Sequence, residues 1–76
     1  MDLEKSGRLF CDLRKAKGMT QKQVADKLGI LPKTVSKWET GKGFPDVSIL
    51  SHLADILGVS ERILLSGDMI KNSKKE

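Results

Sequence analysis

The stretch QKQVADKLGILPKTVSKWET, residues 21–40, holds two short amphipathic runs on either side of a glycine. Two helices that cross steeply through a tight turn need a small residue where their axes approach, a turn residue able to take positive φ, and apolar contacts behind both. Ala25, Gly29 and the set Val24, Leu28, Ile30, Val35 and Trp38 supply these in order, with no charge on the inner face. Thr20 stands where its hydroxyl can accept from the free amides of the first turn, with Gln23 at the reciprocal capping-box position. Pro32 suits the first position of the second helix, where its missing N–H costs nothing and its φ is already helical. Residues 21–40 therefore read as a helix-turn-helix unit.

Residues three and four apart share a helix face. Over 32–40 this puts Val35, Trp38 and Glu39 on one side and Lys33, Ser36, Lys37 and Thr40 on the other. The second face is polar, basic and short-chained, which suits entry into a DNA major groove: it offers donors to phosphates and base edges and no bulk to block approach. A solvated amphipathic helix would carry the same pattern, and it is the helix-turn-helix context that favours the groove-facing reading.

Outward from this unit, residues 4–17 place Phe10, Leu13 and Ala16 or Lys17 at helical spacing and stop at Gly18. Asp46 is a good N-cap for VSILSHLADILG, in which Val47, Leu50, Leu53, Ala54 and Leu57 fall on one face and Gly58 ends the helix. Ser60 can cap a last short helix, ERILLSG. No run alternates with period two for long enough to suggest a strand. The expected fold is all-α, five short helices around one core, in one domain over residues 1–70. The basic stretch 71–76, KNSKKE, has too little apolar content to pack and is expected to be a flexible tail.

Seventy-six residues leave room for one core and no second lobe, which argues against an enzyme that engulfs a substrate. Cys11 is the only cysteine and His52 the only histidine, so neither a disulfide, a metal-ligand spacing nor a catalytic pairing is visible, and no cofactor motif occurs. No apolar run approaches the ~18 residues that span a bilayer, and a cytoplasmic setting is expected. The net charge of +4 is unevenly spread: residues 1–42 hold ten Lys/Arg against five Asp/Glu, whereas residues 43–70 hold one against four. The basic half contains the helix-turn-helix.

The segment MTQKQVADKLGILPKTVSKWETGKGFPD, with DLRKAKG before it and LADILGVS after it, resembles the Xre/Cro regulators, a phage-repressor-like helix-turn-helix family, over roughly residues 6–66. The resemblance implies a five-helix lambda-repressor-like domain whose third helix reads the major groove, with dimers on inverted half-sites. It also implies that Gln21 contacts phosphate and braces a recognition residue, that Lys33 and Lys37 face bases, that Thr34 and Lys42 face the backbone, and that Arg14 and Glu39 form an ion pair. Four positions depart from the family pattern. Leu31 replaces the usual Ser or Thr N-cap, and Pro32 replaces a polar base-reading side chain, leaving apolar contact with a thymine methyl as its route to readout. Leu9 and Cys11 stand where charged, exposed residues are usual, and are read as satellite core or as partner surface.

The expected function is sequence-specific binding of double-stranded DNA by a transcriptional regulator, a repressor acting as a dimer. Base readout is assigned to Pro32, Lys33, Ser36 and Lys37. Phosphate contact is assigned to Thr20, Gln21, Lys22, Thr34 and Lys42, helped by the amide-rich starts of the second and fourth helices. One copy reads too few base pairs to find a site in a genome, so a homodimer on an inverted-repeat operator is expected, with Ile63, Leu64, Leu65, Met69 and Ile70 as candidate interface residues. The alternative is an antitoxin-type protein whose acidic 43–70 segment binds a protein partner while the chain regulates its own promoter.

Overall fold

Capping chemistry sets the helix ends of the structure, a computed structural model that describes residues 2–67. Five helices follow in order: α1 (Leu3–Ala16), α2 (Gln21–Leu28), α3 (Pro32–Glu39), α4 (Val47–Leu57) and α5 (Glu61–Ser66). Four begin on a side chain that accepts an otherwise unsatisfied amide: Asp2 from Lys5, Thr20 from Gln23, Asp46 from Ile49 and Ser60 from Ile63. At Thr20 the box is complete, since the Gln23 side chain accepts the Thr20 amide at 2.8 Å. The Asp2 cap places the start of α1 one residue earlier than the sequence suggested. Only α3 begins without a side-chain cap, at Leu31.

α3 packs against both α1 and α2, α4 contacts α2, and α5 closes the bundle by contacting α1 and α4. The core joins Phe10, Val24, Ala25, Val35 and Trp38 to Leu50, Leu53, Leu57 and Leu64. Phe44, from the α3–α4 loop, lays its ring 5.7 Å from that of Phe10, so the loop is part of the packing. The helix-turn-helix forms as its residues require. Ala25 is fully buried and Gly29 takes φ +73° in the turn.

Three expectations about the core need correction. Val47 is 80% exposed, because in the first turn of α4 it stands at the rim of the apolar stripe, and Ile49 packs against the core instead. Ala16 and Lys17 are exposed; the inner face of α1 runs through Ser6, Gly7 and Phe10, with Leu13 half-buried. Leu64 is fully buried in the core, so it cannot also serve a dimer surface. Leu9 is buried and Cys11 half-buried. Met69, Ile70 and the tail 71–76 lie outside the described residues. Among the described residues no helix is long and apolar enough to cross a membrane, and no group of three or more His, Cys, Asp or Glu is placed to hold a metal.

Gly7 sits mid-helix because α1 and α3 meet there without a side chain between them. A Cβ at this position would collide with the carbonyl oxygen of Trp38 and come within 2.9 Å of that of Glu39, both backbone atoms at the end of α3. Gly43 differs: a Cβ there would meet only the Trp38 ring, at 3.8 Å. Gly7→Ala should therefore destabilise the domain by about 2 kcal/mol or more and lower its thermal midpoint by roughly 10 °C. Gly43→Ala should leave the midpoint within about 2 °C of the parent, since surface changes away from strained sites stay within ~0.5 kcal/mol. Equal midpoints for the two variants in a thermal melt would contradict the close approach of α1 and α3.

Candidate nucleic-acid interface

The outward side of α3 depends on how its inward side is held. Val35 and Trp38 point into the core, and Glu39, at the last turn, meets side chains from two other helices. Arg14 of α1 donates from Nε to Glu39 Oε2 at 2.8 Å and from Nη2 to Oε1 at 3.0 Å, a bidentate pair. Gln21 of α2 donates from Nε2 to Oε1 at 2.9 Å. Arg14 also donates from Nη1 to the Met19 carbonyl at 2.8 Å, fastening the α1–α2 loop, and its Nη2 lies 3.6 Å from Cys11 Sγ. The side chains of Arg14 and Glu39 are only 11% and 6% exposed, so the pair is largely withdrawn from solvent.

Burial pushes the Glu39 carboxyl up, but the hydrogen bonds from Arg14 and Gln21 and the Arg14 charge outweigh it and hold the pKa below the usual glutamate value. The same hydrogen bond holds the Arg14 guanidinium above its ordinary value, against the opposing effect of burial. The Gln21 amide thus ties the start of α2 to Glu39 at the inner end of α3.

With the inner side fixed, Lys33, Lys37 and Thr40 emerge exposed on the opposite side, and Ser36 and Thr34 are half-buried between them and the body of the domain. Among the described residues Lys33 and Lys37 make no ion pair. Lys22, on α2, does: it pairs with Asp26 at 3.1 Å, with both side chains well exposed. An exposed pair of this kind contributes at most ~1 kcal/mol, so an incoming phosphate can compete for the lysine. Lys42 is exposed in the loop after α3.

The helix starts are less open than expected. At α2 the capping box occupies the amide of Gln23, and at α4 the Asp46 carboxylate accepts from Ile49 N and Ser48 Oγ, both at 3.0 Å. A carboxylate at the start of α4 repels the phosphate that its amides would attract. Backbone-phosphate contact there is therefore disfavoured, and the lysines and Thr34 are left as the cationic and hydroxyl donors of this surface. Sequence reasoning missed Gly7, although an isolated glycine within a helical pattern is itself a sign of close packing. The Met19 carbonyl carries no such sign, because any residue offers one.

Comparison with known proteins places this geometry. The Helix-turn-helix family model matches residues 12–64, which include α2, α3 and α4 entirely. The SPbeta prophage-derived uncharacterized HTH-type transcriptional regulator YonR of Bacillus subtilis is 46% identical over 54 residues, covering 71% of this chain and 50% of that protein. The HTH-type transcriptional activator BcrR of Enterococcus faecalis is 39% identical over 56 residues, covering 74% of this chain and 28% of that protein. Among solved structures, the restriction-modification controller protein C.AhdI of Aeromonas hydrophila superposes with a TM-score of 0.76 at 32% identity, covering 83% of this chain and 96% of that one. The chain spans half or less of the length of these two regulators. It belongs to the helix-turn-helix family, in its Xre/Cro-like branch.

The Arg14–Glu39 pair makes stability depend on pH with a definite sign. A carboxyl whose folded pKa lies below its unfolded one stabilises the fold above the ordinary glutamate value of about 4.3, and loses that contribution as pH falls through the folded value. Glu39→Gln should cost about 2 to 3 kcal/mol at pH 7 in urea titrations. The gap to the parent should narrow as pH falls below about 4.3 toward the folded value. Some acid sensitivity should persist in the variant, since the Asp46 pKa is also lowered, chiefly by the Ile49 amide. A gap that stays constant between pH 7 and pH 3 would show that the Glu39 charge is not what holds α3.

Proposed function

We propose that this chain binds double-stranded DNA as a sequence-specific transcriptional regulator, with α3 in the major groove, and that it represses by occupying an inverted-repeat operator as a dimer. The observation that carries this reading is the division of α3. Val35, Trp38 and Glu39 are locked inward, and Lys33 and Lys37 are turned out on one short, basic face with Ser36 half-buried beside them. Lys33 and Lys37 favour guanine O6 and N7, and Ser36 suits either strand's base edges. Lys22, Thr34 and Lys42 supply phosphate contacts that set register, with Thr20 and Gln21 at the start of α2 beside them. No bond is made or broken; the output is occupancy, and occupied DNA excludes other proteins.

The dimer reading rests on apolar surface that the core leaves over. Leu65 of α5 and Leu3 of α1 remain exposed on two helices that contact each other, with Ile63 half-buried nearby in α5. Both sequence relatives, YonR and BcrR, are named as transcriptional regulators, and BcrR is an activator. A reporter carrying the selected operator should lose expression when the chain is present; a gain would replace repression by activation.

Selection of bound duplexes from a random pool should enrich a motif with two half-sites about 34 Å apart, each containing a G. Lys37→Ala should cost about 1 to 3 kcal/mol on the selected site and much less on random DNA. Lys42→Ala should weaken both alike and reduce the slope of log affinity against log salt by about 0.9. No enrichment at moderate salt would remove the reading. Equal losses on both DNAs for Lys37→Ala would move that residue to the phosphate set.

A further inference from the structure

The front of α3 is apolar where a DNA-facing helix ordinarily presents polar groups, and it is not there to serve the core. Ile30 packs against the core and the next residue, Leu31, is in an extended conformation at φ −87° and ψ 145°. Successive side chains of an extended backbone point to opposite sides, so Leu31 is directed away from the core and is 64% exposed. Pro32 follows, also exposed, and Lys33 and Lys37 extend from the same outer region. Leu31 also gives up the capping hydrogen bond that each of the other four helices has. A residue that contributes neither to the core nor to the cap of its own helix, at the front of a helix that carries exposed cations, is placed for an external contact.

The geometry points to Leu31, with Pro32, as a reader of the C5-methyl group of a pyrimidine in the major groove, one that accepts thymine and 5-methylcytosine alike. This rests on the DNA-binding reading above and specifies what its least polar position recognises. The lysines draw the phosphates and bases of a duplex to this surface, which sets the occupant as DNA. Of the groups that base pairs display in the major groove, the C5-methyl is the one that offers substantial apolar surface; the nitrogens and oxygens are hydrogen-bond donors or acceptors. Leu31 has no polar side-chain atom and Pro32 no N–H, so this pair cannot tell the O4 acceptor of thymine from the N4 donor of cytosine. It can sense only whether the methyl group is present. C5 methylation of a cytosine at that position would then raise affinity without a change of base sequence.

The test starts from the motif enriched by selection and replaces each pyrimidine in turn, comparing thymine with uracil, and cytosine with 5-methylcytosine. At one position per half-site the methylated base of each couple should bind about 4-fold more tightly, the value of burying one methyl group. Leu31→Ala should abolish that preference and leave the salt slope unchanged. Leu31→Ser should abolish it too while raising the thermal midpoint, since serine restores an N-cap. Opposite signs in stability and methyl preference separate a contact with DNA from a structural role. Uracil and thymine binding equally at every position of an enriched motif would overturn the methyl contact and leave DNA binding intact. A methyl preference that survives in both variants would overturn the assignment to Leu31. If no motif is enriched, the DNA-binding reading and this inference fall together.

Discussion

One carboxylate fixes where the recognition face points. Glu39 closes the last turn of α3, and Arg14 from α1 and Gln21 from α2 converge on its two oxygens while Arg14 reaches on to the Met19 carbonyl. Apolar contacts such as those of Val35 and Trp38 are non-directional, so by themselves they would tolerate small rotations of α3 about its axis. A bidentate guanidinium–carboxylate pair prescribes direction as well as distance. The withdrawal of this pair from solvent carries a desolvation cost that offsets much of its attraction, so its contribution lies more in geometry than in net stability.

The tight seat of α3 follows from the same junction. Gly7 lets α1 approach the carbonyls of Trp38 and Glu39, and that approach brings Arg14, two turns further along α1, within reach of the carboxylate. Phe44 and the buried Pro45 draw the following loop back over Phe10 and the core. α3 is thus held at its back by Val35 and Trp38 and at its far end by Glu39. Its front, Leu31 and Pro32, has no cap and no donor.

Charge is arranged to match. The basic half of the chain includes the outward faces of α2 and α3, and the acidic residues of the second half include Asp46, whose carboxylate is spent on capping α4. Positive charge gathers where a polyanion would dock, and the negative charge at the start of α4 limits which backbone amides could join it.

The helix-turn-helix was legible because its demands are local. Capping residues, a positive-φ glycine in the turn and apolar spacing act within a few residues, so Thr20, Ala25, Gly29, Asp46 and Ser60 announced their roles in the sequence alone. The two faces of α3 were legible for the same reason, since helical spacing separates Lys33 and Lys37 from Val35 and Trp38. What lay beyond local pattern was decided by packing between distant segments. Leu64 and Leu65 are equally apolar neighbours, and only the register of α5 against α1 and α4 buries the first and exposes the second. Val47 satisfies the spacing of its helix but sits at the rim of the stripe that meets the core. Gln21 could serve a phosphate, a side chain or both, and only the folded position of Glu39, eighteen residues away, gives its amide a partner within the chain. Spacing along one helix determines which residues share a face; which face becomes interior, and where its rim falls, is set by the other helices that cover it.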